Sequence, residues 1–186
     1  MKQLLHILGL AFLLSGILYS CKKDSLEVLR DKEVASLQKY VKDKNLEDAK
    51  DPSGIYFKLL QRSTDTTLIR AKFKVMLHYK VTLIDDTTVV FATEDKYGHN
   101  YEDDPFYVDV NYTQADASPL QKVQGMHYGL KKMHIGDRAF IVIPSELAFK
   151  AVSNTSGFAY IPRFSTLLVT VYAKKGYPPT TTTTTN

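Results

Sequence analysis

Five histidines, His6, His78, His99, His127 and His134, are the first candidates for acid–base or metal chemistry in this 186-residue chain. None of them stands at metal-ligand spacing from a second histidine with carboxylates alongside. Glu102, Asp103 and Asp104 form a run of three acids, but adjacent acids in a loop are ordinarily solvated and a hard cation there is the minority reading. Cys21 is the single cysteine, so no intrachain disulfide can form and no Cys/His zinc pattern can be written. The chain carries neither a glycine-rich phosphate loop nor a Gly-x-Ser-x-Gly nucleophile elbow. No metal and no cofactor are therefore expected. Lys plus Arg number 24 against 20 Asp plus Glu, giving a net charge of +4 without a basic cluster, so no nucleic-acid partner is expected either. What remains for chemistry is apolar and aromatic surface, from 12 tyrosines and 9 phenylalanines.

Those side chains must be positioned by an ordered core, and a composition 44% hydrophobic and 24% charged excludes disorder along most of the chain. From Phe73 to Leu83 every odd position is apolar (Phe73, Val75, Leu77, Tyr79, Val81, Leu83), a period of two that predicts a half-buried strand. Asp85-Asp86 offers a turn, after which Val89-Val90-Phe91 returns. Phe106, Val108 and Val110 alternate again, Ala139 to Ile143 is apolar on both faces as in a central strand, and Leu167, Val169 and Val171 close the series. One helix interrupts the strands, with Leu120, Val123, Met126, Leu130 and Met133 at three- and four-residue steps. Ahead of the sheet, Leu26, Leu29, Val34, Leu37 and Val41 predict an amphipathic helix that docks on the domain. The fold class is α+β, an antiparallel sheet with a helix across it.

Function emerges from a longer pattern. Gly125-Met126-His127-Tyr128-Gly129-Leu130 runs on to Met133-His134-Ile135-Gly136; Ile143-Pro144 is followed by Leu147-Ala148-Phe149, and Ile161-Pro162-Arg163-Phe164-Ser165-Thr166-Leu167 enters the last strand. With His78-Tyr79 and Gly54-Ile55-Tyr56-Phe57 upstream, these motifs resemble, in order over residues 54 to 174, the FKBP-type peptidyl-prolyl cis-trans isomerases. The resemblance implies a curved antiparallel sheet wrapped on a short helix, enclosing an apolar cleft that receives a proline ring. It implies catalytic roles for Tyr79, Phe91, Phe106 and Phe149, and substrate binding by Val123, Met126, Ile161 and Val169. Met126 replaces the large aromatic usual at the floor, Phe149 a tyrosine whose hydroxyl donates to the substrate carbonyl, and Val169 a phenylalanine. Ala92 stands where an aspartate is usual and Lys150 where a glycine is. Phe149 and Ala92 together imply a slow isomerase, or a domain of the same fold that binds prolyl peptides without turning them over. Taken singly, each of these residues also suits an ordinary core. The stretch from Asp95 to Pro119, with Tyr97, Tyr101, Tyr107 and Tyr112, is either a solvated insertion or a flap that contacts client chains.

The amino terminus reads as a targeting segment. Lys2 precedes an apolar run, Leu4 to Tyr19, of about 16 residues, short of the roughly 20 that span a bilayer. Leu18-Tyr19-Ser20-Cys21 then resembles the bacterial lipobox, where cleavage precedes acylation of the cysteine; Tyr19 departs from the usual small residue, and an uncleaved anchor helix is the alternative. The expected organisation is a signal peptide over 1–20, a tether lipidated at Cys21 with its amphipathic helix over 21–53, an isomerase domain over 54–175 and a disordered threonine-rich tail over 176–186. The expected partners are proline-containing polypeptides and, through the lipid, a membrane. The expected place is the envelope of a Gram-negative bacterium, on the outer membrane.

Overall fold

The computed structural model describes residues 25–84, 88–93, 103–111, 118–155 and 158–179. The expected signal peptide, Cys21, the Asp85-Asp86 turn, Glu102, Tyr97, Tyr101, Tyr112 and residues 180–186 of the threonine-rich tail lie outside them.

Helix α1, Ser25–Asp43, precedes six strands: β1 Tyr56–Gln61, β2 Lys74–Leu83, β3 Val89–Ala92, β4 Asp104–Tyr107, β5 Arg138–Ile143 and β6 Leu167–Tyr177. Helix α2, Gln124–Leu130, lies between β4 and β5. The strands form one antiparallel sheet in the order β1-β5-β6-β2-β3, with β4 also paired to β2. Strand β2 pairs with β6 along its whole length. On its other flank, Lys74 to Leu77 pair with β4 and Lys80 to Thr82 with β3. The alternation read in the sequence is seen directly, since Val75, Leu77, Tyr79, Val81 and Leu83 are buried and the residues between them are not.

Registers carry this alternation across the sheet. Val169 lies across from both Val81 and Ile141, and Val81 from Phe91, so these four share the inner face. One residue along, Val142 pairs with Leu168 on the outer face. Each face is covered by one helix. On the inner face α2 lies almost flush against β5: a Cβ at Gly125 would meet Ile143 Cγ2 at 2.4 Å, and one at Gly129 would meet Ile141 Cδ1 at 2.4 Å. Only glycine admits that approach. On the outer face Leu37, Val41 and Leu46 pack with Val142 and Leu168. Burying each such side chain contributes about 1.5–3 kcal/mol, which is what holds α1 to the sheet.

Four expectations are corrected. Gly176 and Tyr177, expected in the disordered tail, are the last residues of β6 and pair with Val75 and Lys74. The docked stripe of α1 is Glu33, Leu37 and Val41 at four-residue steps; Leu29 and Val34 are exposed, because the position between them that faces the sheet is taken by a carboxylate. The inner helix is two turns long rather than running from Leu120 to Met133. Tight turns closed by Gln121 N to Ser118 O and Val123 N to Leu120 O precede it, and Lys132 N to Gly129 O ends it, though all five apolar positions are buried. Part of the stretch from Asp95 to Pro119 is neither free loop nor flap, because Asp104 to Tyr107 are a strand of the sheet.

Candidate functional site

Seven parts of the fold contribute to the inner-face cluster where the expected cleft residues lie. Tyr79 comes from β2, Phe91 from β3, Phe106 from β4 and Val169 from β6. Val123 caps the start of α2 and Met126 sits in its first turn. Phe149 follows the helical turn Ser145–Leu147 after β5, and Ile161 bridges Asn154 in the loop before β6. All eight belong to one apolar cluster, with Phe149 packed at its margin.

Exposure grades across the cluster. Phe106, Val123, Met126, Ile161 and Val169 have no exposed surface, Phe91 and Tyr79 are buried to within a few per cent, and Phe149 is half-buried. The Phe91 and Phe149 rings stand 6.2 Å apart and tilted by 47°, an aromatic lip above a buried floor in which only Phe149 is more than a few per cent exposed. The loop beyond Phe149 exposes three large apolar side chains, Val152, Phe158 and Tyr160.

The one phenol in the set has a fixed partner that the sequence did not announce. Tyr79 Oη donates to Asp104 Oδ2 at 2.5 Å and also meets the Ser118 hydroxyl. Burial, then the negative charge of Asp104, hold the phenol proton far above its ordinary range. Asp104 reaches Tyr79 because it stands two residues before Phe106 and so shares that residue's inward face. The acids therefore do more than meet solvent, for Asp103 pairs with Lys174 at 2.9 Å. Ala92 pairs with Lys80, whose side chain is exposed, so Ala92 lies on the outer face, away from Tyr79.

His127 supports the site from behind. Its ring lies 4.7 Å from that of Phe106, Asp109 N donates to Nδ1 at 2.9 Å, and Nε2 lies 2.9 Å from Gln121 O. A backbone N–H pointing at Nδ1 and a carbonyl at Nε2 define the neutral tautomer with its proton on Nε2. Burial lowers the pKa, outweighing the opposing pull of Gln121 O and Asp109. Neither this histidine nor Asp104 and Ser118 were singled out as site residues from the sequence. For Asp104 the signal was available, in its parity with Phe106. Among the described residues no three His, Cys, Asp or Glu side chains gather where they could hold a metal ion.

The arrangement is an apolar enclosure with an aromatic lip and one phenol whose proton is already engaged. It offers desolvation and shape and no nucleophile. The family model for FKBP-type peptidyl-prolyl cis-trans isomerases matches residues 66–173. No curated protein matches the chain. Among solved structures, FkpA from Escherichia coli is similar over 92% of this chain and 72% of its own, at 21% identity and a TM-score of 0.62. The three FKBP domains of wheat FKBP73 match over 69% of this chain, which spans 48% of that one, at 19% identity and a TM-score of 0.54. The N-terminal domain of FKBP42 from Arabidopsis thaliana matches over 66% of this chain and 86% of its own, at 17% identity and a TM-score of 0.51. At such identities these likenesses concern the fold.

Proposed function

We propose, from the premise that this chain belongs to the FKBP-type peptidyl-prolyl cis-trans isomerase family, that it is a slow prolyl isomerase acting on exported polypeptides in the cell envelope. Rotation about an amide is opposed by about 18–20 kcal/mol because twisting breaks its resonance. The twisted amide separates less charge than the planar one, so an apolar enclosure favours it, and binding the twisted form better than the planar form is catalysis. The convergence of Tyr79, Phe91, Phe106 and Phe149 on one apolar cluster carries this reading. The reduced rate follows from the donors. Phe149 has no hydroxyl, and the Tyr79 proton is committed to Asp104, so none of the eight side chains offers a free hydrogen bond to the rotating carbonyl. Each missing contact of about 1.4 kcal/mol lowers the rate tenfold.

The envelope location rests on the apolar run before Cys21 and its lipobox-like sequence. Acyl chains on that thiol would contribute roughly 0.8 kcal/mol per buried methylene, enough in combination to hold the protein at a membrane. No helix among the described residues is long and apolar enough to cross one.

Isomerisation of a proline tetrapeptide, followed by protease coupling and by NMR exchange, tests the activity. The expected result is catalysis above the uncatalysed rate that Phe106→Ala lowers about tenfold with the fold intact. A second reading, a non-catalytic peptide-binding or chaperone module, is favoured by the sealed floor, where Met126 and four neighbours expose no surface. Binding of unfolded protein with no turnover in the wild type would establish that reading and overturn the first.

A further inference from the structure

Glu33, in the middle of α1, is 7% exposed, and nothing in the proposed chemistry uses it. Its Oε1 accepts two hydrogen bonds, from Ser145 N at 3.0 Å and from Thr166 Oγ1 at 2.6 Å. The two donors belong to different loops. Ser145 opens the turn that carries Phe149, and Thr166 ends the loop that begins at Ile161. A backbone bond from Phe164 N to Lys150 O, 2.8 Å, ties the same two loops a few residues away.

The Phe149 turn has a conformation that does not sustain itself. Ala148 has φ −116° and ψ −120°, outside the common wells, and Lys150 has φ 56°. Of its internal bonds, Leu147 N reaches Pro144 O, while Ala148 N and Lys150 N both reach Ser145 O, so fixing Ser145 fixes the part of the turn that leads into Phe149 and Lys150. Backbone in such regions persists only where its surroundings over-determine it. A buried carboxylate is costly unless its hydrogen bonds are made, and Glu33 makes them to this turn and its neighbour. The nearby Arg30–Glu146 pair, 3.0 Å and half-exposed on both sides, adds little of its own.

We infer that Glu33 is a positioning residue: through Ser145 and Thr166 it braces the turn that presents Phe149 to the Phe91 ring, so the helix ahead of the domain sets the shape of the cleft's lip. This rests on the isomerase reading for its consequence in rate, while the brace itself is readable without activity. Glu33→Gln keeps an oxygen able to accept both bonds, whereas Glu33→Ala removes it.

The test uses the full chain with 4-fluorophenylalanine, the Phe149 signal being assigned by its loss in Phe149→Leu. Glu33→Ala is expected to shift or broaden that signal and Glu33→Gln to restore it. In rate, Glu33→Ala is expected to lower kcat/KM per folded molecule about tenfold in the wild type and not at all in a Phe149→Ala background. An unchanged Phe149 signal in Glu33→Ala overturns the inference, as does an equal loss of rate in both backgrounds, which would mark Glu33 as holding the fold in general. If the wild type neither binds nor turns over the tetrapeptide, the isomerase reading fails and the fluorine signal alone decides the brace.

Discussion

Lys150 and Phe164, two residues with side chains and yet with φ of 56° and 54°, are joined by a backbone hydrogen bond from Phe164 N to Lys150 O of 2.8 Å. A left-handed conformation costs a residue with a Cβ roughly 1–2 kcal/mol, a cost glycine does not bear, while glycine gives up more freedom on folding. The net expectation for Lys150→Gly is a gain of about 0.5–1 kcal/mol in urea unfolding. A loss of stability would mean that the lysine side chain holds the loop more firmly than its backbone strains it.

The Tyr79–Asp104 bond makes a sharper prediction. Asp104→Ala leaves a buried phenol without its acceptor, which costs about 1–3 kcal/mol, whereas Tyr79→Phe in the Asp104→Ala background should recover part of the loss. Denaturant midpoints of the two single variants and the double variant supply the cycle. Equal and additive losses would show that the two groups do not interact.

Stability should depend on pH through His127. Its folded pKa lies below the ordinary 6.5, so the unfolded chain takes the proton first. Its contribution is present in full above that value and is lost as pH falls from there through the folded pKa, at up to about 1.4 kcal/mol per pH unit. Protonation of Nδ1 would oppose the Asp109 N–H that points at it. His127→Gln, which does not titrate, should flatten the unfolding free energy between about pH 7 and 5 relative to wild type. Parallel curves would exclude His127 as the source.

Ser145 Oγ is a buried side-chain oxygen with no hydrogen-bond partner among the described residues, although Ser145 N and O are both engaged. Removing a polar atom that is desolvated and unpaired recovers its desolvation cost. Ser145→Ala is therefore expected to leave stability unchanged or raise it by about 1 kcal/mol, as read from thermal unfolding. A clear drop in Tm would reveal an interaction of the hydroxyl.

The sheet was legible because its rule is local. Two-residue periodicity in β2 needs no knowledge of partners, and the buried positions fall where the alternation puts them. The ordered motifs likewise led to the eight residues that the fold gathers in one cluster. What sequence reading missed is long-range and polar. Glu33 occupies the sheet-facing stripe of α1 because of donors 112 and 133 residues away, and hydrophobic spacing instead points to Leu29 and Val34. Asp104 was read with its acidic neighbours rather than with Phe106, since charge in a run suggests water before it suggests a phenol. The inner helix was drawn too long because buried tight turns and a helix place apolar residues at similar intervals.

The docking of α1 on the outer face bears on synthesis. The helix is early in the chain, but its seat is built from Tyr56 in β1, Phe140 and Val142 in β5 and Leu168 in β6, the last of the described strands. Until β6 has paired, Leu37 and Val41 lack the Leu168 part of their seat, and Glu33 lacks the Thr166 hydroxyl. A chain cut short before Thr166 thus displays both a bare apolar helix stripe and a bare sheet face, the kind of surface that makes incomplete chains aggregate. Full seating of the first helix therefore waits on the last of the described strands.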